Sequence, residues 1–128
     1  MNEPTVLVVE DDEDMRTVYS AALDHVGYHV ITAATGIDGM RMAQDNHPDV
    51  ILLDLSLPGA TGWEVVRRLK ASNSTADIPV LLVTGYTNVG WRARAEGCAA
   101  CLTKPVRLDA LRNTIASLVP HSEHLPST

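Results

Sequence analysis

Three short apolar runs in this chain each stop at a polar residue where a turn begins. Val6-Leu7-Val8-Val9 runs into Glu10-Asp11, Val50-Ile51-Leu52-Leu53 into Asp54, and Val80-Leu81-Leu82-Val83 into Thr84-Gly85. A continuous apolar run needs cover on both faces, which strands find inside a parallel sheet layered by helices. The carboxyl ends of such strands lie along one edge, so Glu10, Asp11, Asp54 and Thr84 should converge in one crevice. Asp54 is the candidate for its reactive group.

Strand-like and helix-like segments alternate along the rest of the chain. After the first strand, Met15, Val18, Ala22 and Val26 predict the inward face of a helix over 14–26, ended by Gly27. The segment 28–33 reads as a weaker strand, with His29 and Thr32 marking a more exposed place in the sheet. Thr35 can cap the next helix, with Asp38 completing a capping box and Ile37, Met40 and Ala43 facing inward. That helix should stop before His47-Pro48. Strand 50–53 is expected at the centre, followed by a helix over 63–71 with Val66 and Leu69 inward. Strand 80–83 precedes a helix over 88–96, stopped by Gly97, and a strand over 99–103. Leu108, Leu111, Ile115 and Leu118 mark the last helix. Five such units predict an α/β fold: a five-stranded parallel sheet, doubly wound as (βα)5 in the flavodoxin-like manner. One domain is expected over 1–120, with a short polar tail over 121–128.

The net charge is −6, from 16 acidic and 10 basic residues. That argues against direct nucleic-acid binding, which needs a basic footprint. No apolar run approaches the roughly 18 residues that span a bilayer. The N-terminus lacks the basic-then-apolar pattern of a signal peptide, so cytoplasmic residence is expected. Cys98 and Cys101 are spaced as a redox pair or half a zinc site. No second pair of ligands stands at matching spacing, and the predicted reading is two small buried structural cysteines. Trp63 and Trp91 are expected as packing residues, with partner contact the alternative for Trp91.

The stretches VLVVEDDEDMR, VILLDLSLPGATG, VLLVTGY and CLTKP, in this order and spacing, resemble the receiver domain of two-component response regulators (the CheY-like superfamily). The resemblance runs from about Thr5 to Val119. It implies Mg²⁺ held by Asp11, Asp54 and the Ser56 backbone carbonyl, with Glu10 beside them and a water between it and the ion as one arrangement. The chemistry of the residues agrees: clustered carboxylates repel, and a small hard cation with oxygen ligands removes that penalty. Asp54 would then accept a phosphoryl group from a histidine kinase or phosphotransfer protein, forming an aspartyl phosphate. Lys104 would face the developing charge, and Thr84 would offer its hydroxyl to a phosphoryl oxygen. The peptide before Pro105, cis in the family, would help aim Lys104. Asp12, Glu13 and Asp14 read as a solvated helix N-terminus instead.

By the same resemblance, the chain is no enzyme in the turnover sense. It is a switch of protein contacts with a downstream protein target or effector domain, with no membrane partner. The alternative is a non-signalling receiver that acts as phosphate sink or scaffold. A phosphatase of the haloacid-dehalogenase type would need an aspartate where Ser56 stands. The chain departs from the family pattern at Cys101, which occupies the usual aromatic switch position. Val106 stands where phenylalanine is frequent, and Thr61 where aspartate is. Output is therefore expected to rely on Thr84, with Tyr86 nearby, and on the helix that follows.

Overall fold

The computed structural model describes residues 3–119; residues 1, 2 and 120–128 lie outside the described residues, and with them the expected polar tail. Five strands, β1 Thr5–Val9, β2 His29–Ala33, β3 Val50–Asp54, β4 Val80–Thr84 and β5 Ala100–Thr103, form one sheet in the order β2-β1-β3-β4-β5. Every pairing is parallel. Helices α1 Glu13–His25, α2 Gly36–Asn46, α3 Gly62–Ala71, α4 Gly90–Ala95 and α5 Leu108–Leu118 connect them.

Neighbouring strand residues point to opposite faces, so each apolar run serves two core layers. Leu7, Val9, Ile51, Leu53 and Leu82 pack with α2, α3 and α4. Val6, Val8, Leu52, Leu81 and Val83 pack with α1 and α5 through Tyr19, Leu23, Leu111 and Ile115. The doubly wound architecture expected from the runs is the one found. β3 and β4 are buried along their whole length, whereas β2, with its exposed His29 and Thr32, lies at the sheet edge.

Helix faces depart from the apolar periodicity in three places. In α1, Val18 and Val26 are exposed, and the buried face is Tyr19, Ala22 and Leu23. Val26 lies past the last turn as the C-cap, and Tyr19, an amphipathic residue, fills the place expected for Val18. In α2, Ile37 is exposed while Gly36 and Gly39 are buried. A Cβ on Gly39 would lie 2.9 Å from Val9 Cγ2, and one on Gly36 2.7 Å from Val65 Cγ2. Close approach of the helix, rather than an apolar stripe, makes this contact. In α5, Leu108 is exposed and Leu111 and Ile115 carry the burial.

Caps also differ from expectation. Thr35 accepts from the Asp38 N–H at 3.1 Å, but the Asp38 carboxylate pairs with Arg41 at 3.3 Å and closes no box. The reciprocal box forms on α3 instead, between Thr61 and Glu64. α4 is shorter than expected: Asn88 has φ 60°, in the left-handed region that asparagine tolerates, so the helix starts only at Gly90.

The turn after β3 is set by Gly62. A Cβ there would meet Leu55 Cα at 2.6 Å and Leu55 O at 2.7 Å, backbone that cannot swing aside. Gly62→Ala should therefore cost about 2 kcal/mol or more of stability. Gly90→Ala, with open space around the new methyl, should be neutral or stabilising by about 0.5 kcal/mol. Denaturant midpoints of the two variants against the parent check both.

Candidate functional site

β1 and β3 are adjacent, with Val9 level with Leu53, so Glu10 and Asp54 leave the sheet side by side. Both are nearly closed to solvent, at 1% and 3% exposed, while Asp11 is exposed at the rim. Carboxylate oxygens of Glu10, Asp11 and Asp54 lie within 4.8 Å of one another. Lys104, two strands away after β5, reaches across to them. Its Nζ lies 3.1 Å from Asp54 Oδ2 and 3.7 Å from Glu10 Oε1.

The surrounding backbone fixes these groups. The Ser56 N–H donates to Asp54 Oδ1 at 3.1 Å, and the Asp12 N–H to Glu10 Oε2 at 3.1 Å. Arg16 donates from Nη1 to the carbonyls of Glu10, at 2.8 Å, and Asp11, at 3.4 Å, pinning the turn between β1 and α1. Asp12 caps α1, accepting from the Asp14 and Met15 N–H groups. The Lys104 N–H donates to the Thr84 carbonyl at 2.7 Å, and the Lys104–Pro105 peptide is cis.

Electrostatics explain why the arrangement is costly as it stands. Burial, with the Asp54 charge adding to it, pushes the Glu10 carboxyl up to about 7, against the opposing Asp12 N–H. Burial disfavours the Lys104 ammonium, yet the hydrogen bond and charge of Asp54 and the charge of Glu10 outweigh it, and its pKa is raised. Among the described residues, buried Glu10 Oε1 finds no hydrogen-bond partner. Three hard oxygen donors sit close together there, one acceptor is orphaned and, among the described residues, one cation, Lys104, serves them. This is a donor set that fits a small divalent metal ion.

The residues singled out from the sequence divide accordingly. Glu10, Asp11, Asp54 and Lys104 come together. Thr84 is fully buried at the end of β4, joined to Lys104 through backbone, and its hydroxyl accepts from the Tyr86 N–H at 3.0 Å rather than meeting a carboxylate. Ser56 is exposed in the turn, where its N–H serves Asp54. Cys98 is buried and Cys101 half-buried, both free. Burial pushes the Cys98 thiol up to about 11, so it is no thiolate nucleophile at neutral pH. Trp63 is half-buried beneath Arg92, whose guanidinium lies 4.3 Å from the ring centroid. Trp91, expected to pack, is 72% exposed. Arg16 was not among the expected site residues. Its signal was its place one turn into the helix that follows the acids. Tyr19, buried on α1 in the layer between the sheet and α5, had no such signal.

The family model for the response regulator receiver domain matches residues 6–116. The polar-differentiation response regulator DivK of Brucella ovis is 34% identical over 115 residues, covering 88% of this chain and 94% of its own. The DNA-binding dual master transcriptional regulator RpaA of Synechocystis is 33% identical over 96% of this chain, which spans 52% of that protein. Among solved structures, the chemotaxis protein CheY4 of Vibrio cholerae superposes with a TM-score of 0.86 at 30% identity, over 92% of this chain and 100% of that one. The receiver domain of a Pseudomonas aeruginosa sensor histidine kinase, solved with magnesium coordinated in its active-site cleft, gives 0.83 at 28% identity, over 91% and 98%.

The raised Glu10 pKa has a consequence for stability. Below about 4.5 the carboxyl is protonated in folded and unfolded chains alike and costs nothing; above about 7 it is ionised in both, and the folded chain bears the burial and repulsion. With chelator present, stability attributable to Glu10 should thus be lost as pH rises from 4.5 through 7, by up to about 3 kcal/mol. Unfolding midpoints at pH 5 and pH 8 test this, and Glu10→Gln should lose less between them than the parent.

Proposed function

The chain belongs to the response regulator receiver family of two-component signalling, and from that membership we propose that it takes a phosphoryl group onto Asp54 from a histidine kinase or a phosphotransfer protein. The observation that carries the reading is the Lys104 ammonium 3.1 Å from Asp54 Oδ2, at a crevice holding three carboxylates within 4.8 Å. Receiver domains bind Mg²⁺ in this cleft, and the donor set here fits that ion. Asp11, Asp54 and the Ser56 carbonyl would hold it, with Glu10 beside them. Held there, Mg²⁺ would offset the charge of the carboxylates and of the phosphoryl group.

The chain's own residues divide the remaining work. An Asp54 carboxylate oxygen attacks phosphorus as the bond from phosphorus to the donor's imidazole nitrogen breaks. The nitrogen keeps the electron pair. Lys104 then faces phosphoryl oxygens instead of a bare carboxylate. Thr84 accepts the Tyr86 N–H, which leaves its hydroxyl proton free for a phosphoryl oxygen. Turning toward that oxygen would break the tie to Tyr86, 61% exposed, and loosen the loop that leads into α4, the helix that carries Trp91. This supports output through Thr84 and α4 even though Cys101 offers no ring. The reaction modifies the protein itself and turns over no separate substrate, so we read the chain as a switch and not an enzyme.

Its partners would be the phosphodonor protein and a downstream target or effector domain. The acidic net charge favours protein over nucleic-acid contact. No helix among the described residues is long and apolar enough to cross a membrane, and a cytoplasmic site of action agrees with the reading. A second reading, a phosphate sink or scaffold without switching, rests on the ringless Cys101, half-buried in the layer beside α4.

Incubation with acetyl phosphate and Mg²⁺ should add one phosphate by intact mass, with none in Asp54→Asn or with chelator. An adduct that persists in Asp54→Asn, or none in the parent, would sink the assignment. In spectra with and without a beryllofluoride mimic, the largest amide shifts should fall between Thr84 and Glu96. Shifts confined to α2 and α3 would rule out output through Thr84.

A further inference from the structure

Among the described residues, Tyr19 is the largest fully buried side chain, at 1% exposed. It lies in the layer between the sheet and helices α1 and α5, whose other buried members are Val, Leu and Ile. An aliphatic side chain would fill such a place with no polar atom to satisfy. The Tyr19 hydroxyl is instead buried with no hydrogen-bond partner among the described residues, an expensive state for a group that can donate once and accept twice. Val106, two residues past Lys104, packs against the same layer. Burial raises the Tyr19 pKa, and the ionised groups that bear on it most are Lys104, then Glu10 and Asp54. By strand alternation Glu10, Asp54 and Lys104 follow Val8, Leu52 and Leu102, residues of that same layer, so the acid–lysine cluster closes the end of the layer in which the phenol is buried.

A complementary vacancy exists in that cluster. Among the described residues, Glu10 Oε1 is a buried acceptor lacking a donor, and Lys104 Nζ, 3.7 Å from it, makes one short contact, to Asp54 Oδ2 at 3.1 Å. We propose that Tyr19 is a positioning residue for Lys104: its hydroxyl accepts from the ammonium and donates to Glu10 Oε1, directly or through one trapped water, as the site takes on charge. Three polar groups, from α1 and from the turns after β1 and β5, would then satisfy one another. The position of the ammonium would be set from within that layer. The inference rests on the proposed role of Lys104 in facing the phosphoryl group.

Tyr19→Phe removes only the hydroxyl. In chelator the variant should unfold at or above the parent's temperature, because an unpartnered buried group is gone. With Mg²⁺, the Lys104 Nζ resonance should move from its parental position. The maximal rate of phosphorylation by acetyl phosphate should fall about tenfold at unchanged half-saturating donor, as expected for misplacement rather than lost binding. A Lys104 resonance and a rate both equal to the parent's would overturn the proposal. The resonance requires no phosphoryl transfer. If the parent takes no phosphate while Tyr19→Phe still displaces that signal, the phosphoacceptor reading fails and the positioning role stands. Should Tyr19→Phe not fold, ring-labelled Tyr19 in the parent decides: a Cζ shift on adding Mg²⁺ supports the proposal, and an unmoved signal overturns it.

Discussion

Glu10 and Asp54 are buried side by side at the ends of adjacent parallel strands, with one ammonium reaching them. Charges of like sign in so little water would not persist without a partner. Lys104 supplies part of the compensation from two strands away, so β5 must stay in register with β4 for the acids to be tolerated. The backbone bond from the Lys104 N–H to the Thr84 carbonyl, 2.7 Å long, holds that register at the rim. The remaining imbalance, expressed in the raised Glu10 pKa, leaves the site poised for added positive charge.

The rest of the fold keeps this edge stiff. Gly39 lets α2 close on Val9, the residue before Glu10, and Gly62 lets α3 close on the turn after Asp54. Arg16 holds the turn that carries Glu10 and Asp11. Away from this rigid rim, α4 has a single turn and a half, no side-chain cap and one buried residue. It is tethered sideways instead: Arg67 and Arg92 both meet Glu96, at 3.0 and 3.7 Å, and Arg92 covers Trp63. Exposed ion pairs of this kind contribute roughly 1 kcal/mol or less each. A helix held this lightly, next to the loop that Thr84 secures, is the element most easily displaced by a change at the site.

Legibility in the sequence followed the physics of each feature. The apolar runs ending on Glu10, Asp54 and Thr84 announced the strands and the shared edge, because burial on both faces leaves a run no alternation to hide in. Helix faces were read less well. Val18 and Ile37 satisfied the spacing rule yet point to solvent, while Tyr19, Gly36 and Gly39 took the contacts. Periodicity weighs hydrophobicity, and these contacts depend on size and closeness of approach. The box expected at Thr35 and Asp38 and found at Thr61 and Glu64 shows the same limit, since an acidic side chain chooses among partners only once they surround it.

What the sequence by itself determined was the alternation of five strands and five helices and the edge to which Glu10, Asp11, Asp54, Thr84 and Lys104 would be delivered. Those follow from apolar patterning, which acts locally and is written residue by residue. Only the tertiary structure decided the distances: which oxygen of Asp54 meets Lys104, that Glu10 Oε1 finds no donor among the described residues, that Thr84 serves Tyr86, and that a tyrosine hydroxyl is sealed in the core layer on the same face of the sheet. Each depends on groups brought together from strands and helices remote in the chain, and burial sets its energy only after they have met.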